Sequence, residues 1–340
     1  MARRVTVSSV IGGILAGAIA LGALLGFGTV NSYAQRIAFS IATGPSSGTY
    51  FPVGETIAGL ISHPAGMDRC SRSASCGPEG LIASAQTSAG AYANVLAVES
   101  GRVNSALAQS DVVAQAVAGK GAFKKPQTHI RVIAALFPEE IHLVVATREH
   151  IASISKLRGK RVSLGAANSG TAVTARAVLS AYRLRAKTSN DSPDLAARKL
   201  QDGTLDAFFF VGGAPVPLVD GLIESGQATL LPIDGIGRDR LLARGHGLYK
   251  DTIFSGTYGR LAAVPTVAVQ ALWIVSDRES KDTVFAITRA LFSSSNRNLL
   301  VQGPPAARAI VLSRATQNLS APLHVGAAKF YQDVKRHNAP

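Results

Sequence analysis

Motifs for metal binding and covalent catalysis are missing from this 340-residue chain. Its seven histidines are scattered without metal-ligand spacing. No Gly-x-Ser-x-Gly elbow offers a nucleophile, and the Gly-bounded stretches 44–48 and 165–170 lack the Lys of a phosphate-binding P-loop. Glu139 and Glu140 are adjacent, but neighbouring carboxylates on an extended chain point to opposite faces and make a poor acid/base pair. These absences argue against an enzyme, and no metal or cofactor is expected. Charge is also sparse. Charged residues make up 16% and hydrophobic residues 47%, a balance that buries a sizeable core and does not describe a disordered chain. The formal charge is nevertheless +14, from basic residues spread along the chain with short clusters such as Lys156, Arg158, Lys160 and Arg161. No aromatic residues interleave with them as base-stacking platforms, so no nucleic-acid partner is expected. The positive field reads as a soluble basic surface that also speeds encounter with anionic solutes.

Long apolar runs are absent except at the N-terminus. Arg3 and Arg4 precede an uncharged Ala/Gly/Leu/Ile-rich stretch over residues 11–28, and Ser32-Tyr33-Ala34 places small residues three apart. This pattern predicts a secretory signal over residues 1–34, cleaved after Ala34, or a retained anchor if uncleaved. The segment holds two Arg and no acidic residue, so its removal takes the formal charge from +14 to +12. The remainder is expected in the periplasm. Only two cysteines are present, Cys70 and Cys76, in a Ser-rich segment. In an oxidising compartment they are expected to close a short disulfide loop; free thiols or a metal pair are the alternatives, without a His-Cys cluster nearby to complete a tetrahedral site.

What is present is an alternation of strand-like and helix-like segments. Residues 36–42 alternate apolar and polar as a strand, and residues 51–61 then place Val53, Ile57, Leu60 and Ile61 on one helical face. Residues 131–137 and 141–147 read as two apolar strands. The second stretch repeats the grammar with a strand at 161–166, a helix at 172–182, a helix at 191–202, a buried strand at 207–211, and a last strong strand at 268–276 before a helical tail. Such alternation predicts α/β lobes with mostly parallel sheets. Within it, Ser47-Gly48-Thr49 and Ser169-Gly170-Thr171 each follow a strand and open a helix. That placement sets hydroxyl and unpaired N–H groups at the positive end of a helix, which suits an anion. One such tripeptide is an ordinary cap; two in equivalent places suggest matching loops across a cleft.

These residues resemble a known family. The run Thr43-Gly44-Pro45-Ser46-Ser47-Gly48-Thr49-Tyr50-Phe51-Pro52-Val53-Gly54 is similar to the opening loop of TAXI solute receptors of TRAP transporters. The similarity continues at Gln109-Ser110-Asp111, at Leu136-Phe137-Pro138-Glu139 with His142, at Ile154, Leu157 and Gly159-Lys160-Arg161-Val162, at Ser169-Gly170-Thr171, at Asp206-Ala207-Phe208-Phe209 and at Gly212-Gly213-Ala214-Pro215. The family carries a Gly-Ser pair and an Asn at the helix start where residues 88–94 read Ser-Ala-Gly-Ala-Tyr-Ala-Asn, so Ser88 and Asn94 are carried over.

The resemblance implies a two-lobed periplasmic-binding-protein fold, type II-like, with a two-strand hinge and a ligand cleft. Lobe I is expected over residues 36–144 plus 268–340 and lobe II over 145–267, with hinge strands at 141–147 and 268–276. It implies a monomeric receptor for a small acidic solute, an amino acid or a dicarboxylate or keto acid such as glutamate or 2-oxoglutarate, delivered to a TRAP-type permease. The alternative on the same fold is an exported sensor that presents its ligand to a membrane signalling protein. In lobe I the candidate ligand residues are Thr43, Ser46, Ser47, Gly48, Thr49 and Tyr50, with Thr87, Ser88 and Gln109 at strand ends and Asp111 as an ammonium partner or a helix cap. Ser47 or Thr49 could equally cap the helix, and Tyr50 could be a core aromatic. In lobe II they are Ser169, Gly170 and Thr171, and Gly213 and Ala214 through backbone groups or as a tight turn. Trp273, the one tryptophan, falls in an expected hinge strand and is a candidate reporter of closure.

Overall fold

The computed structural model describes residues 36–67, 70, 75–245 and 247–337. The expected signal segment and its cleavage site lie outside the described residues. The described chain opens with β1 (Ile37–Ala42), α1 (Tyr50–Ile61), β2 (Leu81–Gln86), α2 (Ala91–Glu99), β3 (Ser105–Gln109), α3 (Ser110–Ala118) and the long β4 (Ile130–Ala146). It continues through β5 (Arg161–Ser163), α4 (Gly170–Ala181), β6 (Lys187–Ser189), α5 (Pro193–Gln201), β7 (Ala207–Gly212), α6 (Pro217–Glu224), β8 (Ala228–Leu230), α7 (Gly235–Leu242) and β9 (Tyr249–Ile253). The second long strand, β10 (Val264–Ser276), leads to α8 (Lys281–Leu291), α9 (Arg297–Gln302) and α10 (Val325–His337).

Local sequence accounts for these elements. Val53, Ile57, Leu60 and Ile61 form the buried face of α1, as their spacing predicts. α5 carries Ser192 as its cap, with Oγ accepting from the Leu195 N–H at 3.4 Å, Pro193 in the first turn, Asp194 beside it and Arg198 and Lys199 in the last turn. Each sits where the helix dipole and the unpaired end groups favour it. β7 is buried along its whole length, as a near-continuous apolar run between two neighbouring strands requires.

The strands form one ladder in the order β2-β1-β3-β10-β4-β7-β5-β6, with β8 on β4 and β9 on β10. β1 runs parallel to β2 and β3, and β5 runs parallel to β6 and β7. β4 and β10 are antiparallel to each other and to their other neighbours. The apolar cores divide along these two strands. Phe137 of β4 and Ala271 of β10 belong to a cluster with α1, α2, α8 and α10, whereas Ile141 and Val269 belong to a cluster with α4 and β7. Ile141 and Leu143 thus pack with the second core, and Val144 with a third cluster that includes Phe208, Val219 and Tyr258. The segments 131–137 and 141–147, read from sequence as two strands, are one strand through Pro138. Pro138 lies opposite Gln270, next to a register shift between Gln270 and Leu272. A bulge is where a strand tolerates a residue without an N–H.

Cys70 and Cys76 are disulfide-bonded, closing the short loop between α1 and β2. No helix among the described residues is long and apolar enough to cross a membrane.

Candidate functional site

The carboxyl ends of β1, β2, β3, β5, β6 and β7 face one cavity between the two cores. Open α/β sheets bind ligands at such ends. The first lobe supplies Gly48, Thr49 and Tyr50 after β1, Gly90 and Ala91 after β2, and Gln109 at the end of β3. The second supplies Ser169, Gly170 and Thr171 after β5, Pro193 after β6, and Phe209 to Val211 of β7. The first turns of α1, α2, α4 and α5 therefore all border the cavity. Neither α1 nor α2 has a side chain capping its first turn, so apart from the Ala93 N–H, which the Asn168 carbonyl takes, amide groups there remain for another acceptor. Gly90 holds φ at 112°, a backbone region that L side chains avoid, and brings the start of α2 against Ser169. The space open to the centre of a water-sized sphere is about 60 Å³.

The lobes touch around this cavity. Ser47 Oγ donates to Asp194 Oδ2 at 2.6 Å, Thr174 Oγ1 donates to Asp111 Oδ2 at 2.7 Å, and the Ala93 N–H donates to the Asn168 carbonyl at 3.2 Å. The arrangement is that of a closed cleft.

Among the described residues no Lys or Arg lines the cavity, and two acidic residues do, Glu139 and Asp191. Burial pushes Glu139 well above the usual carboxylate range, against the Tyr50 hydroxyl, which donates to its Oε2 at 2.7 Å. Burial and the Glu139 carboxyl in turn push Tyr50 well up. Burial also acts to raise Asp191, but Lys199 at 2.6 Å and the hydroxyls of Ser189 and Ser163 outweigh it and hold that carboxylate below its ordinary value. Burial raises Asp111 to about 6, opposed by its bonds from Thr174 and the Val112 N–H. The cavity thus offers helix-end dipoles and hydroxyls without a fixed cation.

Of the residues singled out in the sequence, Gly48, Thr49, Tyr50, Gln109, Ser169, Gly170 and Thr171 meet at this cavity. Ser169 Oγ is engaged as the cap of α4, accepting from the Ala172 N–H at 3.0 Å. Gln109 is 2% exposed, and its Oε1 finds no donor among the described residues. The others lie elsewhere. Thr43 is buried, with Oγ1 donating to the Gln86 carbonyl at 2.7 Å. Thr87 is exposed. Ser88 Oγ is taken by Asn94 Oδ1 at 2.7 Å, and Asn94 Nδ2 ties the loop to the carbonyls of Thr43 and Leu107. Ser46, Ser47 and Gly213 line a neighbouring chamber, and the Ala214 N–H donates to Glu140 Oε2 at 2.9 Å. Sequence reasoning did not include Pro45, residues 89–91, Glu139, Asp191 or residues 209–211 among the ligand candidates. The Phe208–Phe209 motif and Glu139 were visible signals in the second and first lobes respectively.

His142 is buried between Glu140 and Tyr258, its Nε2 2.7 Å from the Tyr258 hydroxyl, and burial lowers it to about 4. It acts as a neutral structural residue that fixes Tyr258, whose hydroxyl also accepts from the Val216 N–H.

Residues 41–334 match the NMT1-like family. Among solved structures, the chain is similar to MatC from Rhodopseudomonas palustris with bound malate, at 12% identity and a TM-score of 0.52 over 89% of this chain and 98% of that one. It is also similar to a periplasmic transporter, at 13% identity and a TM-score of 0.52 over 90% and 94% of the two chains. A protein from Bordetella bronchiseptica RB50 gives 16% identity and a TM-score of 0.50 over 87% and 82%. The likeness is one of fold, the mixed α/β architecture of periplasmic binding proteins.

Proposed function

We propose that this chain, which belongs to the NMT1-like family, is an extracytoplasmic receptor that closes its two lobes on a small acidic solute. The observation that carries this reading is the meeting of both Ser-Gly-Thr turns, and of four helix N-termini, at one cavity without a lysine or arginine. Helix N-termini and hydroxyls stabilise an anion without a fixed cation. Hydrogen bonds to a charged group contribute about 1.5–3 kcal/mol each. Three or four of them, less the costs of ordering and desolvation, are enough for micromolar affinity, about −8 kcal/mol.

In the finer reading the receptor is of the TAXI type, monomeric, and hands its ligand to a TRAP-type permease. The motifs of the opening loop and of residues 206–215 support that assignment. The solute class is an amino acid, a dicarboxylate or a keto acid, such as glutamate or 2-oxoglutarate; the malate held by MatC is an acid of this kind. The chain is exported by the signal over residues 1–34. The two lobes pivot about the paired strands β4 and β10 near Pro138 and Gln270, where the two cores divide.

The test is thermal stabilisation by a panel of amino acids, keto acids and dicarboxylates that includes malate. A ligand at a hundredfold excess over Kd contributes about 2.7 kcal/mol. At least one acid is expected to raise the melting temperature; a panel without any shift removes the receptor reading.

A further inference from the structure

The cavity leaves about 60 Å³ for the centre of a water-sized sphere. A second chamber lies immediately beside it. Gly48 and Thr49 border both, and the second leaves about 300 Å³ for the centre of a water-sized sphere. The partition is thin. A Cβ built on Gly212 would sit 2.6 Å from Thr49 Oγ1, so Thr49 of the first lobe rests directly on the Gly212 backbone of the second. The contact is made by the Thr49 side chain, and its rotation away from Gly212 would join the two spaces with the lobes closed.

The chemistry of the second chamber differs from that of the first. Its walls include Pro52, Pro304 and Pro305 from one lobe and Pro215, Pro217 and Leu218 from the other. Proline has no N–H, so these walls are poor in hydrogen-bond donors. Among the described residues no Lys, Arg, Asp or Glu lines the chamber. On its polar side are Ser46, Gly48, Thr49 and Ser47, whose hydroxyl is given to Asp194; a second carboxylate there would be desolvated without a cation, whereas an alkyl or aryl group would leave water for an apolar surface. Because both lobes build the walls, the chamber takes its shape only when the cleft closes.

We infer that the solute is an amphipathic carboxylic acid, with its carboxylate among the helix N-termini and an apolar tail of several carbons passing Thr49 into the proline-walled chamber. The inference rests on the receptor reading and narrows its solute class away from short dicarboxylates.

Calorimetry on the purified chain with butyrate, hexanoate and octanoate, beside malate, glutamate and 2-oxoglutarate, tests it. Each buried methylene is worth about a fourfold gain in affinity, so octanoate is expected to bind at least about tenfold more tightly than butyrate. Leu218→Asn and Pro305→Ser replace wall residues that are not fully buried. In each, the octanoate-to-butyrate ratio is expected to fall to about threefold or less. Loss of folding would weaken both acids together and leave the ratio in place, and melting curves identify a variant that does not fold. Equal affinity for octanoate and butyrate, or a ratio that survives both substitutions in folded protein, overturns the inference. If malate or glutamate binds and a tail adds nothing, the receptor reading stands and this narrowing falls. If no acid of either series binds, both fall together.

Discussion

Gly170 brings the start of α4 in the second lobe against Gln109 and Ala91 of the first. A Cβ there would overlap Gln109 Oε1 and lie 2.9 Å from the Ala91 Cβ. The same approach leaves Gln109 Oε1 without a donor among the described residues. Closing the empty cleft therefore carries a desolvation cost of about 1–3 kcal/mol at this one atom, which a bound solute must offset. Gly170→Ala separates closure from folding. Its backbone is not in the left-handed region, and alanine is favourable in a helix, so the isolated lobe has no reason to unfold. The expected result is a near-unchanged melting temperature for the ligand-free protein with at least about a tenfold loss of affinity. Wild-type affinity in this variant would show that the lobes do not meet at Gly170 when solute is bound.

At the scale of elements, the starts of α3 and α4 are joined across the cleft by Asp111 and Thr174. Asp111 is buried in the closed form, and burial raises its carboxyl from 3.8 to about 6, with Tyr50 and Glu139 also facing it. A raised carboxyl favours the state that buries it when protonated. Its contribution to closure is therefore complete below its ordinary value and is lost as pH rises through about 6. Measured as the ratio of wild-type to Asp111→Asn affinity, which cancels the titration of the solute itself, binding is expected to strengthen by up to about fiftyfold from pH 7 to pH 4. A carboxylate that instead held a ligand ammonium would give the reverse, with the Asn variant weaker at pH 7. The helix starts were legible in the sequence because their signals are local. Ser192, Pro193 and Asp194 announce α5, and Ser169 announces α4. The alternation of Glu139 and Glu140 also held, with Glu139 turned to Tyr50 and Glu140 to the Ala214 N–H. The continuity of β4 was not legible, since Pro138 ordinarily ends a strand and is accommodated here beside a bulge in which β4 carries one more residue than β10. Nor could the sequence separate hydroxyls facing the cavity from those of Thr43 and Ser88, whose partners are the Gln86 and Thr43 carbonyls and the Asn94 side-chain amide.

For the whole molecule, β4 and β10 are the two strands shared by both cores, so a change in the angle between lobes must pass through them. The sequence placed Trp273 in this hinge. In the structure it lies on the first-lobe side of the pivot, fully buried, paired with Leu107 and Ala134, with Nε1 donating to Ser105 Oγ at 3.1 Å. Its partners all move with that lobe. Rotation about Pro138 and Gln270 leaves the indole environment intact, and tryptophan emission is expected to change little when solute binds. Closure is instead expected in small-angle scattering, as a fall in the radius of gyration toward the roughly 19 Å of a compact chain of this length. Gly170→Ala should keep the larger value in the presence of solute. A large emission change without a fall in radius would place the response inside the first core and not at the hinge, and the two-lobe mechanism would then be wrong.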